Sequence, residues 1–182
     1  ERNAHLLLME SRTSVRRITC HLLEQGRTLP GFIGDISYAQ SNRERYEGFC
    51  QALADAGKKV DSSLCLTTPL GIDTYREEID TFLSSLSRMP DAFVCASDYV
   101  ACILMQLLEK RGLRVPEDVA VSGFDNNTED LLAEHLTTVQ VFNEELGARL
   151  ALQILYRIKY PNTPHEITYL GTNVLYRDST GD

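Results

Sequence analysis

No run of about 18 consecutive apolar residues occurs in the 182-residue sequence, so no segment is expected to cross a membrane as a helix. Cysteine shows no pairing pattern. The five residues (Cys20, Cys50, Cys65, Cys95, Cys102) form no CxxC, and an odd number cannot pair fully within the chain. Reduced thiols and a cytoplasmic setting are therefore expected, with Cys95 and Cys102, which lie in apolar stretches, read as small core residues. The four histidines (His5, His21, His135, His165) lack ligand spacing, which leaves no metal site to nominate. Basic clusters are missing beyond Arg16/Arg17, Arg43/Arg45 and Lys58/Lys59, and the net charge is −8. This segment alone lacks the positive footprint that nucleic acid requires. Neither GxGxxG nor GxxxxGK(S/T) is present, so a phosphate-cradling loop is unsupported. GxSxG is absent as well, and no Ser-His-Asp set can be nominated. No enzymatic activity and no cofactor are expected. The chain opens Glu1-Arg2-Asn3, with neither Met nor a signal-like segment, and is expected to be a piece of a longer protein.

What is present suits one ordinary globular domain or two small lobes: 43% of residues are hydrophobic and 24% charged. Extended and helical patterns alternate. An apolar run at 6–9 precedes a helical pattern at 13–25 that Gly26 ends, and "LPGFIGD" (29–35) reads as a strand. Helical spacing returns at 41–56, with Gly57 after it. A strand at 64–68, a helix at 73–88 and the strand "DAFVCAS" (91–97) follow, the last apolar enough for burial on both faces. Asp98 is placed to cap a helix at 99–111. A strand at 118–124, a helical turn near 127–134, a strand at 136–141, a helix at 144–159 and two short extended pieces complete the chain. Strands separated by helices of this length indicate βαβ units, hence an α/β fold on a parallel sheet with helices on both faces.

Ligands of open parallel sheets bind beyond the carboxyl ends of the strands. That rule selects 35–41, 67–73, Ser97-Asp98 and 125–127, with Arg43 and Arg45 brought near by the helix after Asp35. His5, His21 and His165 fall away from these ends; His135 follows a loop. The set is rich in carboxylate, amide, hydroxyl and guanidinium groups, which suits bidentate recognition of sugar hydroxyls better than catalysis.

Several collinear stretches resemble the LacI/GalR family of bacterial transcription regulators in their effector-binding domain. They are "HLLEQGRTLPGFIGD" (21–35), "SNRERYEGFCQALADAG" (41–57), "PDAFVCASDYVACILMQLLEKRGLRVPEDVAVSGFDN" (90–126), "LTTVQVFNEELGARLALQIL" (136–155) and "VLYRDST" (174–180). The resemblance implies a periplasmic-binding-protein-like domain of two α/β lobes closing on a small effector, represented in this segment mainly by its second lobe. Residues 1–9 would end a largely absent first lobe and 10–142 would form the C-terminal lobe. Residues 143–164 would be a crossover helix belonging to the first lobe, and 165–182 a terminal strand returning to the C-terminal one. It also implies a sugar-like effector, operator DNA bound through an N-terminal head outside this segment, and a homodimer.

By the same resemblance Arg45 and Asp125 are effector contacts, joined by Ser97, which stands where many members have Asn, and by Ser41. Each has a structural reading beside it. Arg45 could make an i,i+4 pair on a helix surface. Asp125 could be a helix cap or an Asx-turn, with Asn127 sharing that work. Ser41 could cap the helix over 42–56. Glu10-Ser11 replaces the family's usual Asp-Asn pair, and with no tryptophan any stacking wall falls to Tyr38, Phe142 or the other lobe. Leu146, Leu150, Ile154, Leu155 and Ile158 form a helical stripe expected to pack against a first lobe or another chain; a bare stripe would weigh against the alignment there. Three other functions fit the segment: a sensor of the same shape on a signalling protein without a DNA head, a free-standing sugar-binding protein, or a doubly wound enzyme.

Overall fold

The computed structural model describes residues 4–71, 73–127 and 134–182. Strands and helices alternate as β1 (Leu6–Met9), α1 (Arg12–Glu24), β2 (Pro30–Ile33), α2 (Gln40–Asp55), β3 (Cys65–Leu66), α3 (Tyr75–Ser85), β4 (Ala92–Cys95), α4 (Asp98–Lys110) and β5 (Ala120–Ser122). There follow β6 (Thr138–Gln140), α5 (Asn143–Lys159), β7 (Ile167–Leu170) and β8 (Asn173–Leu175). β2 to β5 form a parallel sheet in the order β3-β2-β4-β5. Parallel bridges at Ser122–Thr137 and Asp125–Gln140 extend it to β6, which pairs antiparallel with β8. β1 and β7 pair in parallel as a separate two-stranded sheet. The fold is α/β, as the alternating pattern implies.

The period of two along each strand decides what covers each face. On β4, Ala92 and Val94, and Ala96 just beyond, point into a cluster with Val15, Ile18 and Leu22 of α1 and Phe49 and Leu53 of α2. Phe93 and Cys95 point the other way, into a cluster with Ile79 and Leu83 of α3 and most of α4. Two helices therefore lie on each face, and the strands need apolar residues at every position. α1 and α2 approach closely at Gly48, where an added Cβ would lie 2.2 Å from the Arg12 carbonyl oxygen. All five cysteines are free, with Cys95 and Cys102 in the core.

The sheet is shorter than its apolar runs. β3 is two residues rather than 64–68, because it is an edge strand paired only with β2. β5 and β6 are likewise trimmed to three residues each, since Gly123 and beyond turn away from regular pairing. The helical turn expected near 127–134 falls largely outside the described residues. Residues 165–182 hold two strands with different partners, β7 on β1 and β8 on β6. α5 has no buried residue, and Ile158 is 73% exposed. Its apolar stripe lies uncovered in the single chain, the outcome that weighs against placing this helix by the resemblance alone.

Phe93 is fully buried in the central strand, where truncation leaves a cavity that rigid neighbours cannot fill. Phe93→Ala should lower the unfolding free energy by about 3–5 kcal/mol in urea titrations. A loss under about 1 kcal/mol would show that the core is not packed this way.

Candidate functional site

α2 begins beyond the carboxyl end of β2, and helical side chains lean toward the helix N-terminus. Arg45, six residues into α2, is thereby carried back over the strand ends, and its side chain is only 6% exposed. Its guanidinium carbon sits 3.6 Å above the ring centroid of Phe124. Nη1 donates to the Ala96 carbonyl at the end of β4, and Nη2 donates to Asp125 Oδ1 at 3.3 Å. One side chain thus joins α2, β4 and the turn after β5. Burial pulls the Arg45 pKa down, against the opposing pull of Asp125 and Asp98, yet a guanidinium remains a cation at any working pH.

Asp125 is the more open partner, its side chain 39% exposed. Burial pushes its pKa up to about 6; Arg45 lowers it, and the neighbouring Asp98 charge adds to the rise. Burial therefore works against both charges of the pair, and a single 3.3 Å contact compensates only in part. Asp125 and Asn126 both have positive φ (114° and 51°), so the turn that aims the carboxylate is strained for L residues. Asn126 takes up the turn-forming work. Its N–H donates to Thr138 Oγ1 at 3.2 Å, its amide donates to Gln140 Oε1 at 2.5 Å, and its oxygen accepts from Arg177 Nη2 at 2.8 Å.

Of the four residues picked out in the sequence, Arg45 and Asp125 are brought into direct contact. Ser97 lies beside Ala96, next to the Arg45 anchor, and its Oγ accepts the Val100 N–H at 3.3 Å as the N-cap of α4. Ser41 is the second residue of α2. The cap position is Ala39, so the expected Ser41 cap is corrected, and no hydrogen bond joins Ser41 to Arg45 or Asp125 among the described residues. The surface-pair reading of Arg45 is also overturned by its burial.

Asp98 is the second correction. It is the first residue of α4 rather than its cap, because Ser97 fills that role one residue earlier. Its carboxylate, buried with the residue 2% exposed, instead accepts the Asn127 N–H at 2.8 Å and the Thr138 hydroxyl at 2.6 Å. Asp35, at the end of β2, is occupied by its own loops. It accepts from the Ser37 N–H and hydroxyl, the Tyr38 N–H and the Leu70 N–H. Burial pushes its pKa up, but these bonds outweigh it and the net shift is downward. Glu10 stabilises the start of α1 by accepting the Thr13 and Ser14 N–H groups. Phe124, Gln140 and Arg177 escaped the sequence reading. Only the position of Phe124 directly before Asp125 could have flagged it, since alternation turns its ring to the α2 side.

Among the described residues, no group of three or more His, Cys, Asp or Glu side chains is placed to hold a metal ion. None of their helices is long and apolar enough to cross a membrane.

The pattern of the periplasmic binding protein-like domain matches residues 19–180. The chain belongs to that family. Within it, the chain is part of a LacI/GalR-type effector-binding domain. The HTH-type transcriptional regulator DegA of Bacillus subtilis is 35% identical over 130 residues, covering 70% of this chain and 38% of DegA. The HTH-type transcriptional regulator CelR of Thermobifida fusca is 32% identical over 170 residues, covering 90% of this chain and 48% of CelR. The solved complex of the transcriptional regulator CelR with cellobiose superposes with a TM-score of 0.87 at 28% identity, over 97% of this chain and 54% of that one. The chain spans about half the length, or less, of the curated relatives it matches.

The raised Asp125 pKa makes the stability of the fold depend on pH. Asp125 titrates near 6 when folded, against about 3.9 when unfolded. Between those values the folded state binds more protons, so this group makes stability fall as pH rises from about 4 to about 6, with no further slope above. Asp125→Asn removes the effect. In urea melts the stability of wild type relative to the variant should decline across that window and level off by about pH 7. A difference independent of pH would show that Asp125 ionises normally.

Proposed function

We propose that this chain is the sensory part of a sugar-responsive LacI/GalR-type transcription regulator, which binds a small uncharged sugar between two lobes. Sugar binding would change how an N-terminal head outside this chain holds operator DNA, in a homodimer. The observation that carries the reading is the Arg45–Asp125 pair: a buried guanidinium at the strand ends backs a carboxylate that remains open to solvent. Vicinal hydroxyls are recognised by such planar groups, with a carboxylate accepting and a guanidinium orienting it. The Ser97 hydroxyl, beside the pair, and the Ser41 hydroxyl on α2 are further donors in this reading. The solvent-facing ring of Tyr38 offers apolar surface.

The lobe division follows the resemblance: 1–9 and 143–164 with the first lobe, 10–142 and 165–182 with the second, although β7 within the last segment pairs with β1. In this reading the first lobe would lie over the apolar stripe of α5, which is bare in the single chain. The pairing of β7 with β1, and of β8 with β6, suits a chain that crosses between lobes. A sugar that binds the closed arrangement more tightly than the open one shifts the population toward closure, and that difference in affinity sets the size of the response.

An uncharged sugar fits better than a phosphorylated one. The Nη atoms of Arg45 and Arg177 already donate to protein oxygens, and the exposed group is an anion. A phosphate dianion there meets like-charge repulsion, whereas a hydroxyl meets an acceptor.

Thermal shift and calorimetry with cellobiose, glucose, galactose, ribose and glucose 6-phosphate test the reading. A neutral sugar at about 100 times its Kd should stabilise the fold by about 2.7 kcal/mol, and Asp125→Asn should weaken it at least about tenfold. Affinity should also fall as pH drops through about 6, because protonation removes the carboxylate that binding favours. Preference for glucose 6-phosphate would overturn the uncharged class. Silence toward the whole panel, in protein containing both lobes, would overturn the sensor reading.

A further inference from the structure

We propose that Asp98 is the positioning residue of this site, holding the turn after β5 in the one backbone conformation that presents Asp125 to Arg45. The inference rests on the reading of Asp125 as an effector contact. Two consecutive non-glycine residues, Asp125 and Asn126, hold positive φ there, a conformation L residues adopt only when their surroundings enforce it. Asp98 supplies that enforcement from three atoms. Its N–H donates to the Phe124 carbonyl at 2.8 Å, Oδ2 accepts the Asn127 N–H at 2.8 Å, and Oδ1 accepts the Thr138 hydroxyl at 2.6 Å. The Thr138 oxygen in turn accepts the Asn126 N–H at 3.2 Å. The backbone N–H of Asp98 thus holds the residue before the strained pair, and its buried carboxylate holds the residue after it and ties the turn to β6.

Two further observations point the same way. Gly123 is required by this contact, because a Cβ there would lie 2.2 Å from Asp98 Oδ1. Helix capping does not explain the buried charge, since Ser97 is the N-cap of α4. A buried carboxylate is unfavourable unless its acceptors are filled, and here they are filled by the turn and by β6. The charged groups around Asp125 are Arg45 from α2 and Asp98 from α4, with Arg177, after β8, acting on Asp98. Neutralising Asp98 thus removes a negative neighbour of Asp125 as well as a clasp.

Asp98→Asn, Thr138→Val and Thr138→Ser in the full-length protein separate positioning from mere stability. Thr138→Val deletes the two clasp bonds that run through the Thr138 hydroxyl and keeps both charges; Thr138→Ser keeps the hydroxyl and serves as the folded control. Three-bond HN–Hα couplings of Asp125 and Asn126, which report φ, should change in Thr138→Val and stay native in Thr138→Ser. The carboxyl carbon of Asp125 should titrate lower in Asp98→Asn than the wild-type midpoint near 6. Cellobiose affinity should fall about tenfold in Thr138→Val and return in Thr138→Ser, measured well below each melting temperature. Native couplings and affinity in a folded Thr138→Val protein would overturn the proposal, even if that variant melts earlier. If Asp98→Asn does not fold, the Thr138 pair decides. If wild type does not bind cellobiose, the couplings decide, so a failure of positioning and a failure of the sugar reading are told apart.

Discussion

A guanidinium enclosed at the end of a parallel sheet is the constraint around which this edge is built. Removing a cation from water is costly unless its face and its N–H groups are matched by something other than water. Here the face rests on Phe124, one Nη donates to the Ala96 carbonyl and the other to Asp125. Each partner is fixed by a different element: Phe124 by β5 running out, Ala96 by the end of β4, Asp125 by the strained turn. Loss of any one would leave Arg45 buried with too few partners. The spacing of β4 and β5 at this edge and the position of α2 above it are therefore mutually dependent.

Three aspartates at the same edge show how surroundings divide one chemistry into three roles. Asp35 is saturated by hydrogen bonds from its own loops, and its pKa falls. Asp98 is buried and also bonded, but burial dominates and its pKa rises. Asp125 has one weak ionic partner, a negative neighbour and an open side, which leaves its proton equilibrium close to the physiological range. Only the last has acceptor capacity facing solvent. A carboxylate already filled by backbone N–H groups has little left to offer a ligand.

Much of the fold was legible because the period of two along β4 and the 3.6-residue period of its flanking helices survive in the sequence. Each of α1 to α5 begins and ends within three residues of its expected bounds. Strand lengths were less legible, because apolar residues such as Leu64 and Phe124 stay buried after the backbone leaves the ladder. At the site, Arg45 and Asp125 could be placed at strand ends by the general rule for parallel sheets, with the family resemblance naming both as effector contacts; their direct pairing came from the structure. Asp98 was misread because the preference for acidic residues at helix starts holds equally for the cap and for the position after it. Ser97, which fills the cap, also stands where the resemblance implies an effector contact. Arg177 and Gln140 had no local signal, as their partners lie 51 and 14 residues away and only the β5–β6–β8 arrangement brings them together.

The first turns of α2 touch two otherwise separate parts of the molecule. Arg45 faces the strand-end pair, while the adjacent Glu44, buried, accepts from Gln40 and from the hydroxyl of Tyr169 on β7. β7 pairs with β1, and just beyond it Thr172 bonds both the Glu10 carbonyl and Ser14 where β1 passes into α1. One helical turn of α2 therefore contacts both the strand-end pair and the second sheet. Coupling between a ligand and a distant arrangement requires an element that both engage. The N-terminal half of α2 engages both sides of this junction, through the neighbouring and oppositely charged Glu44 and Arg45.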